Sequence, residues 1–388
     1  MPLSTLCEEI STTKPSTRPD ARFRYIDVSS VSNETYRIVN TKELLGKDAP
    51  SRARQVIRQD DVIFATVRPT LRRVAMIHPE LNGEVCSTGF CVLRARKEEL
   101  SPQFLYFYLL TETVRERVEA LQTGATYPAI NDSDLFRLEI PLPSLAEQEA
   151  VVHALQAVQK TREMRKRELA LERERKGALV DYLFAHGTHS EQTKQTDFGE
   201  IPESWRVLPL GTVVKFKSGS TRPKDLSDTR TEEKCVPVYG GNGIMGFTVQ
   251  GSSNEKLLTI GRVGAYCGCV HIAEAPNWIT DNALYSTQFF EDASVDFLAE
   301  QLKYLQLNQL KRAGAQPLVT QGVLHALNIC LPPLADQKAI AEVLSACDRK
   351  IVASRREAEL HEELFGAMVE ELLSGRIGLA AMLDGAML

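Results

Sequence analysis

The chain has 388 residues, of which 43% are hydrophobic and 25% are charged, and its formal net charge is −5. This composition excludes an intrinsically disordered or membrane-embedded protein, and the length is sufficient for two domains that each bury a core. The sequence contains no run of about 18 apolar residues and no signal-peptide pattern, so we expect a cytoplasmic protein without membrane contact.

Residues 1–143 have the pattern of a mixed αβ domain. Turn-forming Pro, Gly and Asn separate short apolar runs that are rich in β-forming residues, at 61–67, 74–77 and 90–93. One amphipathic helix is predicted over residues 102–121, with Ser101 as its N-cap and Pro102 at its first position. A small loop at Gly124-Ala125 and a strand near residues 138–140 complete the domain.

Residues 144–190 are predicted to form a first long spacer helix. Glu, Arg, Lys, Ala, Leu and Gln dominate this segment, and all of them are good helix formers. About 40 residues that rise 1.5 Å each give a rod of roughly 60 Å, which is longer than a typical helix of a globular domain.

Residues 191–332 repeat the αβ pattern, and residues 333–388 are predicted to form a second long helix and a tail. Residues 186–204 are expected to be an exposed linker, and a helix is predicted from 295 to 311, followed by a loop at Gly314-Ala315. The predicted strands of this second copy are at 235–239, 256–260, 269–272 and 285–289.

The same junction precedes both long helices. Residues 142–148 are Leu-Pro-Ser-Leu-Ala-Glu-Gln and residues 331–337 are Leu-Pro-Pro-Leu-Ala-Asp-Gln, so the matched residues are 189 apart. This similarity predicts two diverged copies of one unit. The loops Gly124-Ala125 and Gly314-Ala315 are 190 residues apart, whereas the junctions are 189 apart. The first copy therefore has one extra residue between loop and junction, and we expect it to be Tyr127.

The second long helix has a heptad seam from Ile340 to Leu372, with residues at alternating spacings of four and three. The equivalent line on the first helix is apolar at both ends but charged in the middle, from Arg162 to Lys176. Because neither helix has a core of its own, we predict that the two pack against each other as an antiparallel pair.

Each domain contains a stretch rich in basic residues, despite the negative net charge. In the first domain, Arg68, Arg72 and Arg73 lie at a turn after a predicted strand, where guanidinium groups can bind guanine edges or phosphates. Arg262 follows the strand at 256–260, in the place that the sequence suggests is equivalent to Arg68.

A polar, basic loop in the second domain is suited to phosphate contacts, through Lys217, Thr221, Arg222 and Lys224. Tyr239 and Asn242 follow it as candidate readers of base edges. A solvated charged surface is the alternative for any one of these sites. Their recurrence in both copies favours DNA binding.

Motifs for catalysis and for metals are not found in the sequence. Gly241–Gly246 matches GxGxxG, but a β-like segment follows it instead of the helix that a dinucleotide site requires, so a glycine-rich β-turn is predicted. The eight cysteines have no metal-ligand spacing and are expected to be buried or inert thiols. We therefore predict a non-catalytic chain without a metal site.

The chain resembles the DNA-specificity subunit of type I restriction–modification systems. The two Pro-Leu-Pro-type junctions with their long helices carry the resemblance, together with Phe198–Trp205 between the copies and the ending Glu370–Gly375. The resemblance implies an α+β fold in which two target recognition domains each read half of a split DNA site, separated by two long helices that form an antiparallel coiled coil.

The resemblance further implies partners and cofactors. Two modification (methyltransferase) subunits are expected to dock on the helices, and restriction subunits to join them on double-stranded DNA. S-adenosylmethionine, ATP and Mg are expected on these partners, and no cofactor in this chain. A structural adaptor whose coiled coil and domains bind proteins instead of DNA is the alternative from a different class.

Overall fold

The computed structural model describes residues 1–124, 126–309 and 318–374. The chain forms two compact units: Met1–Glu168 with the segment from Ser354 onwards, and Leu169–Ala353. Each unit contains one αβ domain and part of each of two long helices. We call the units unit 1 and unit 2, and the domains that they contain the first and the second domain.

Among its described residues, the first domain has eight short strands and four α-helices. The strands are β1 (Cys7–Glu8), β2 (Arg22–Ile26), β3 (Lys42–Leu45), β4 (Ala53–Val56), β5 (Val62–Ala65), β6 (Val74–Met76), β7 (Val85–Ser87) and β8 (Phe90–Ala95). The helices are α1 (Leu3–Leu6), α2 (Pro102–Tyr108), α3 (Glu112–Leu121) and α4 (Asp132–Phe136). The strands form two four-stranded sheets, in the orders β1-β8-β5-β6 and β3-β2-β7-β4.

The first long helix, α5, spans Leu145–His186 and is followed by the second domain. Its strands are β9 (Thr193–Thr196), β10 (Gly199–Pro202), β11 (Arg206–Pro209), β12 (Val214–Ser218), β13 (Val236–Gly240), β14 (Gly243–Thr248), β15 (Leu257–Gly261), β16 (Val270–Ala273), β17 (Trp278–Ile279), β18 (Ala283–Phe289) and β19 (Asn328–Leu331). Its helices are α6 (Leu210–Val213), α7 (Val295–Tyr304) and α8 (Gln321–Ala326), and the second long helix, α9, spans Leu334–Leu373.

The internal repeat is visible in the sheets. The four-stranded antiparallel sheet of the second domain has the order β12-β18-β15-β16, which matches β1-β8-β5-β6 of the first domain strand for strand. The predicted α+β fold with an internal repeat and two long helices is confirmed.

Several local predictions differ from the structure. The strand expected near residues 138–140 is only an isolated bridge between Pro2 and Glu139. The helix expected over residues 102–121 is two helices, α2 and α3. The Thr111 hydroxyl accepts a hydrogen bond from the N–H of Val114 (3.2 Å), so Thr111 is the N-cap of α3.

The expected exposed linker contains the β9–β10 hairpin and buries Ile201 in the core of unit 2, together with Trp205, which directly follows the linker. The helix expected over residues 295–311 is shorter, because α7 ends at Tyr304 and Leu305 is its C-cap. The Gly314-Ala315 loop and Gly375 lie outside the described residues.

A buried glutamine connects α5 to the first domain. The Oε1 atom of Gln148 accepts a hydrogen bond from the N–H of Ser101 (2.8 Å), which is the N-cap of α2. Its Nε2 group donates to the carbonyls of Glu99 (2.9 Å) and Pro143 (3.0 Å). All three partners are backbone atoms.

Gln337 makes the same three contacts at the start of α9. Its Oε1 atom accepts from the N–H of Ser294 (2.8 Å), the N-cap of α7, and its Nε2 group donates to the carbonyls of Asp292 (3.0 Å) and Pro332 (2.8 Å). Both glutamines are fully buried. These hydrogen bonds give the physical reason for the glutamine shared by the two junctions.

In unit 1, the helices α5 and α9 are joined by ion pairs. Arg162 pairs with Glu362 (3.2 Å), and Arg165 pairs with Glu357 (3.4 Å). The residue number rises on α5 while it falls on α9, so the helices run antiparallel. The charged middle of the α5 seam therefore faces opposite charges, which explains why it is not apolar.

Unit 2 has the same arrangement. Glu172 of α5 pairs with Lys350 of α9, and Lys176 pairs with Asp348 (2.7 Å). Lys176 also reaches Glu300 of α7 (3.2 Å), so this ion-pair cluster connects both helices to the second domain. The predicted antiparallel packing is confirmed within each unit.

Candidate nucleic-acid interface

Two equivalent hairpin loops carry the strongest candidates. In the first domain, the N–H of Ala65 donates to the carbonyl of Arg73 (3.0 Å) and closes the loop between β5 and β6. In the second domain, the N–H of Gly261 donates to the carbonyl of Cys269 (2.8 Å) and closes the loop between β15 and β16. We call these the first and second hairpin loops, and they have the same length.

The equal lengths correct one predicted correspondence. The carbonyls of Thr66 and Arg262 each accept a hydrogen bond of 3.0 Å from a later loop of their domain, from Ile130 and Val319 respectively. Arg262 is therefore equivalent to Thr66, two residues before Arg68. The predicted match was wrong because strand pairing, which the sequence does not display, sets the register.

Arg68 is exposed in the first hairpin loop and has a left-handed backbone, with φ of 49°. Its guanidinium carbon lies over the ring of Tyr127, 5.5 Å from the centroid. Its N–H donates to the carbonyl of Pro128 (2.7 Å), which fixes the loop beside the segment that carries Tyr127.

Arg72 and Arg73 are held by their own domain instead. Arg72 forms an ion pair with Glu112 at the start of α3 and donates to the carbonyl of Leu110 (3.3 Å), and burial lowers the pKa of its guanidinium. Arg73 donates to the carbonyls of Val28 (3.3 Å) and Val31. The structure therefore gives both side chains internal contacts, which corrects their prediction as exposed DNA ligands.

In the second domain, Lys217, Asn242 and Arg262 lie at one end of the β12-β18-β15-β16 sheet. The guanidinium of Arg262 donates to the hydroxyl of Ser218 (3.1 Å), the residue that follows the exposed Lys217 on β12. Gly261 approaches Gly241 so closely that a Cβ at position 261 would be 2.4 Å from the Gly241 carbonyl oxygen.

Asn242 is exposed beside that contact, in the two-residue turn that joins β13 to β14. A strand follows this turn, so the predicted glycine-rich β-turn is confirmed. The turn places residue Asn242 close to the second hairpin loop, because its neighbour Gly241 packs against Gly261. An asparagine amide can contact base edges.

Thr221, Arg222 and Lys224 are exposed in the loop that continues from β12. The indole N–H of Trp278 donates to the carbonyl of Thr221 (3.1 Å) and holds the start of this loop. Three exposed polar or basic side chains thus extend the surface that begins at Lys217.

Tyr239 does not belong to this surface. Only 6% of the residue is exposed, and its ring packs in a small core with Leu257, Ile279 and Ala283. The same burial raises the pKa of its hydroxyl. Its prediction as a base reader is wrong because it lies on β13, on a face that packs against the main sheet.

The sequence reasoning missed two exposed tyrosines near the candidate cations. Tyr127 is 69% exposed and Tyr266, in the second hairpin loop, is 53% exposed. The available signal is a tyrosine two or three residues after a glycine, in Gly264-Ala-Tyr266 and Gly124-Ala-Thr-Tyr127. Exposed aromatic rings close to cations are typical of surfaces that bind nucleic acids.

Other classes of site receive no support from the described residues. Across residues 1–124, 126–309 and 318–374, no group of three or more His, Cys, Asp or Glu residues could hold a metal ion. None of the helices in those ranges is long and apolar enough to cross a membrane.

Comparison with known proteins identifies the family. The model of the type I restriction modification DNA specificity domain matches residues 23–173 and again residues 202–362. A putative type I restriction enzyme specificity subunit, MjaX, from Methanocaldococcus jannaschii is 27% identical over 338 residues, which cover 82% of this chain and 78% of that protein.

Two solved structures have the same fold over almost the whole chain. The HsdS subunit from Thermoanaerobacter tengcongensis has a TM-score of 0.53 and 27% identity, covering 97% of this chain and 96% of that chain. The S subunit of a type I restriction–modification system from M. genitalium has a TM-score of 0.65 at 17% identity, covering 96% and 95%, and supports the fold alone. Two family matches, one on each repeat, show that this chain belongs to the type I restriction–modification specificity subunits.

Proposed function

We propose that the chain reads a bipartite site in double-stranded DNA, one half with each domain, and directs methylation and restriction by partner subunits to that site. The observation that carries the proposal is the repetition of one sheet with an equal-length hairpin loop, with exposed polar or basic side chains on or beside that loop in each domain. A β-hairpin of this kind fits the major groove, where each base pair has a distinct donor and acceptor pattern.

Affinity and sequence discrimination have different sources in this proposal. Lys217, Arg222 and Lys224 are suited to phosphate contacts, which supply affinity and salt dependence but no sequence information. Arg68, Asn242 and Arg262 lie on or beside the two hairpin loops, and we assign base contacts to them. Both domains are attached to the same two helices, which would make the gap between the half-sites a geometric constant.

Catalysis is assigned to the partners. Two modification subunits that bind S-adenosylmethionine would dock on the helices, and restriction subunits that use ATP and Mg would join them. This chain would contribute recognition and assembly without a catalytic residue.

The test is to co-express the full chain with its cognate modification subunit and to map methylated bases in the host genome. We expect one motif made of two specified halves around an unspecified gap of constant length. Methylation of a continuous motif would contradict the proposal. Methylation that is the same with and without this chain would contradict it as well.

A further inference from the structure

Two arginines in the first hairpin loop adopt a backbone conformation that favours glycine. Arg68 and Arg72 have φ values of 49° and 51°. The equivalent residues in the second hairpin loop are Gly264 and Gly268, with φ values of 75° and 86°. A left-handed backbone is disfavoured for residues with a side chain, so an arginine at such a position needs a compensating use.

For Arg72 the use is structural, because its guanidinium joins the loop to Glu112 and to the Leu110 carbonyl. Arg68 differs. Within the described residues, its side chain has no hydrogen bond and no ion pair, and its one ring contact is with Tyr127. The left-handed backbone at position 68 therefore presents a guanidinium whose N–H groups have no partner among the described residues of the fold.

Tyr127 gives that guanidinium a fixed position. Its segment is held against the loop by the Arg68 N–H to Pro128 carbonyl bond (2.7 Å) and by the pairing of Val67 with Ala129. An arginine that stacks on an aromatic ring keeps its N–H groups at the edge of the guanidinium plane free to donate. The ring is mostly exposed, so both partners are available to a ligand.

From this geometry we infer that Arg68 and Tyr127 form a guanine-reading element of the first domain, an inference that rests on the proposed function. The O6 and N7 atoms of guanine accept two parallel hydrogen bonds from one arginine fork in the major groove. An arginine fork can also form two hydrogen bonds with a phosphate, and such a contact carries no sequence information. The base contact is favoured because the fork lies on a β-hairpin loop, beside an aromatic ring, and a two-stranded β-ribbon can enter the major groove.

The element is confined to one half of the site. Gly264 occupies the place of Arg68 in the second hairpin loop, and the second domain offers Arg262 from the end of its strand instead. The inference therefore specifies one guanine in the half-site of the first domain.

The experiment maps methylation motifs for the full chain with its modification subunit, comparing wild type with Arg68→Gly, Arg68→Lys and Tyr127→Ala. Arg68→Gly is the decisive variant, because glycine suits the left-handed backbone and the domain should fold at least as stably. Arg22→Ala is the matched control, since Arg22 is an exposed arginine on the other sheet of the same domain.

We expect Arg68→Gly and Arg68→Lys to reduce the preference for guanine at one position of the motif. The ratio of methylation at sites with guanine to methylation at sites with another base there should fall by roughly 5- to 150-fold. The other half of the motif should not change, and Arg22→Ala should leave the whole motif intact. Tyr127→Ala should reduce the preference for guanine at the same position more weakly, because it removes the ring beside the Arg68 guanidinium but keeps the guanidinium itself.

Two results would overturn the inference while the proposed function stands. One is a wild-type bipartite motif that is unchanged in every Arg68 variant. The other is a uniform loss of binding across sequences, with the slope of log affinity against log salt reduced by about one, which marks a phosphate contact. A wild-type complex without a bipartite motif would instead contradict the proposed function.

Discussion

Two single residues, Gln148 and Gln337, connect the long helices to the domains. Each side chain is fully buried and satisfies one backbone N–H and two backbone carbonyls. A buried polar group that loses its partner costs about 1–3 kcal/mol.

We therefore expect Gln148→Ala to destabilise unit 1 by roughly 2–4 kcal/mol, since three backbone groups lose their partner. Amide hydrogen exchange of residues 99–108 measures this change directly, and exchange there should accelerate more than in unit 2. Gln156→Ala is the control, because Gln156 is exposed on the same helix. Equal exchange rates in both variants would show that the buried contacts do not stabilise the junction.

Arg162 is another single residue with an unusual position. It is 1% exposed, its guanidinium carbon lies 4.3 Å from the ring centroid of Phe365 and 5.5 Å from that of Tyr36, and it pairs with Glu362. Tyr36 belongs to the first domain, so one cation connects α5, α9 and that domain. Burying a charge is costly unless it is paired, and here one carboxylate and two aromatic rings supply the compensation.

At the scale of elements, complementary charges select the pairing of α5 with α9. In unit 2, a hydrogen bond from Lys350 lowers the pKa of Glu172. The stabilisation by this pair is complete above the pKa of about 4.3 that an unfolded glutamate has, and it is lost as the pH falls through the lower folded value. The helix pair of unit 2 should therefore weaken in acid.

Charge reversal tests this pairing. We expect Lys350→Glu to reduce the protection of residues 334–353 from hydrogen exchange at pH 7, because two carboxylates then face each other. Adding Glu172→Lys should restore much of it. Lys338→Glu makes the same charge change at an exposed position of α9 and should have little effect. A double variant that is no better protected than Lys350→Glu alone would show that this pair does not set the helix pairing.

The sequence predicted elements better than it predicted contacts. Long runs of good helix formers define α5 and α9, which the structure places at Leu145–His186 and Leu334–Leu373. The burial of Tyr239 and Trp205 depends on sheet packing, and the break at Thr111 depends on one cap, so neither follows from residue patterns. Of the candidate DNA ligands, Arg68, Asn242 and the residues of the loop after β12 are exposed and stay candidates, whereas Arg72, Arg73 and Tyr239 make contacts inside the fold.

At the scale of the whole molecule, the repeat predicts that the two domains act independently. Each domain has its own core and its own hairpin loop, and the two compact units fold around separate sets of buried residues. Recognition of each half-site should then depend on one domain only.

Replacing residues 1–143 with the corresponding segment of a relative that recognises a different sequence should change one half of the methylation motif. The second half and the gap should stay as in the wild type, because α5, α9 and the second domain are retained. Genome-wide methylation mapping of the chimera reads both halves at once. A change in both halves would contradict independent recognition.

The glutamine contacts at the junctions have a consequence for how such chains diversify. The hydrogen bonds of Gln148 and Gln337 all end on main-chain atoms, so this part of the attachment does not depend on the side chains of the domain, unlike the contact of Arg162 with Tyr36. A foreign domain would therefore need the same backbone path at these points, and also side chains that fit the helix residues packed into its core, such as Val151 and Leu155. Recombination at these junctions, between chains that share such contacts, would thus replace the sequence specificity of a whole domain while α5 and α9 stay the same.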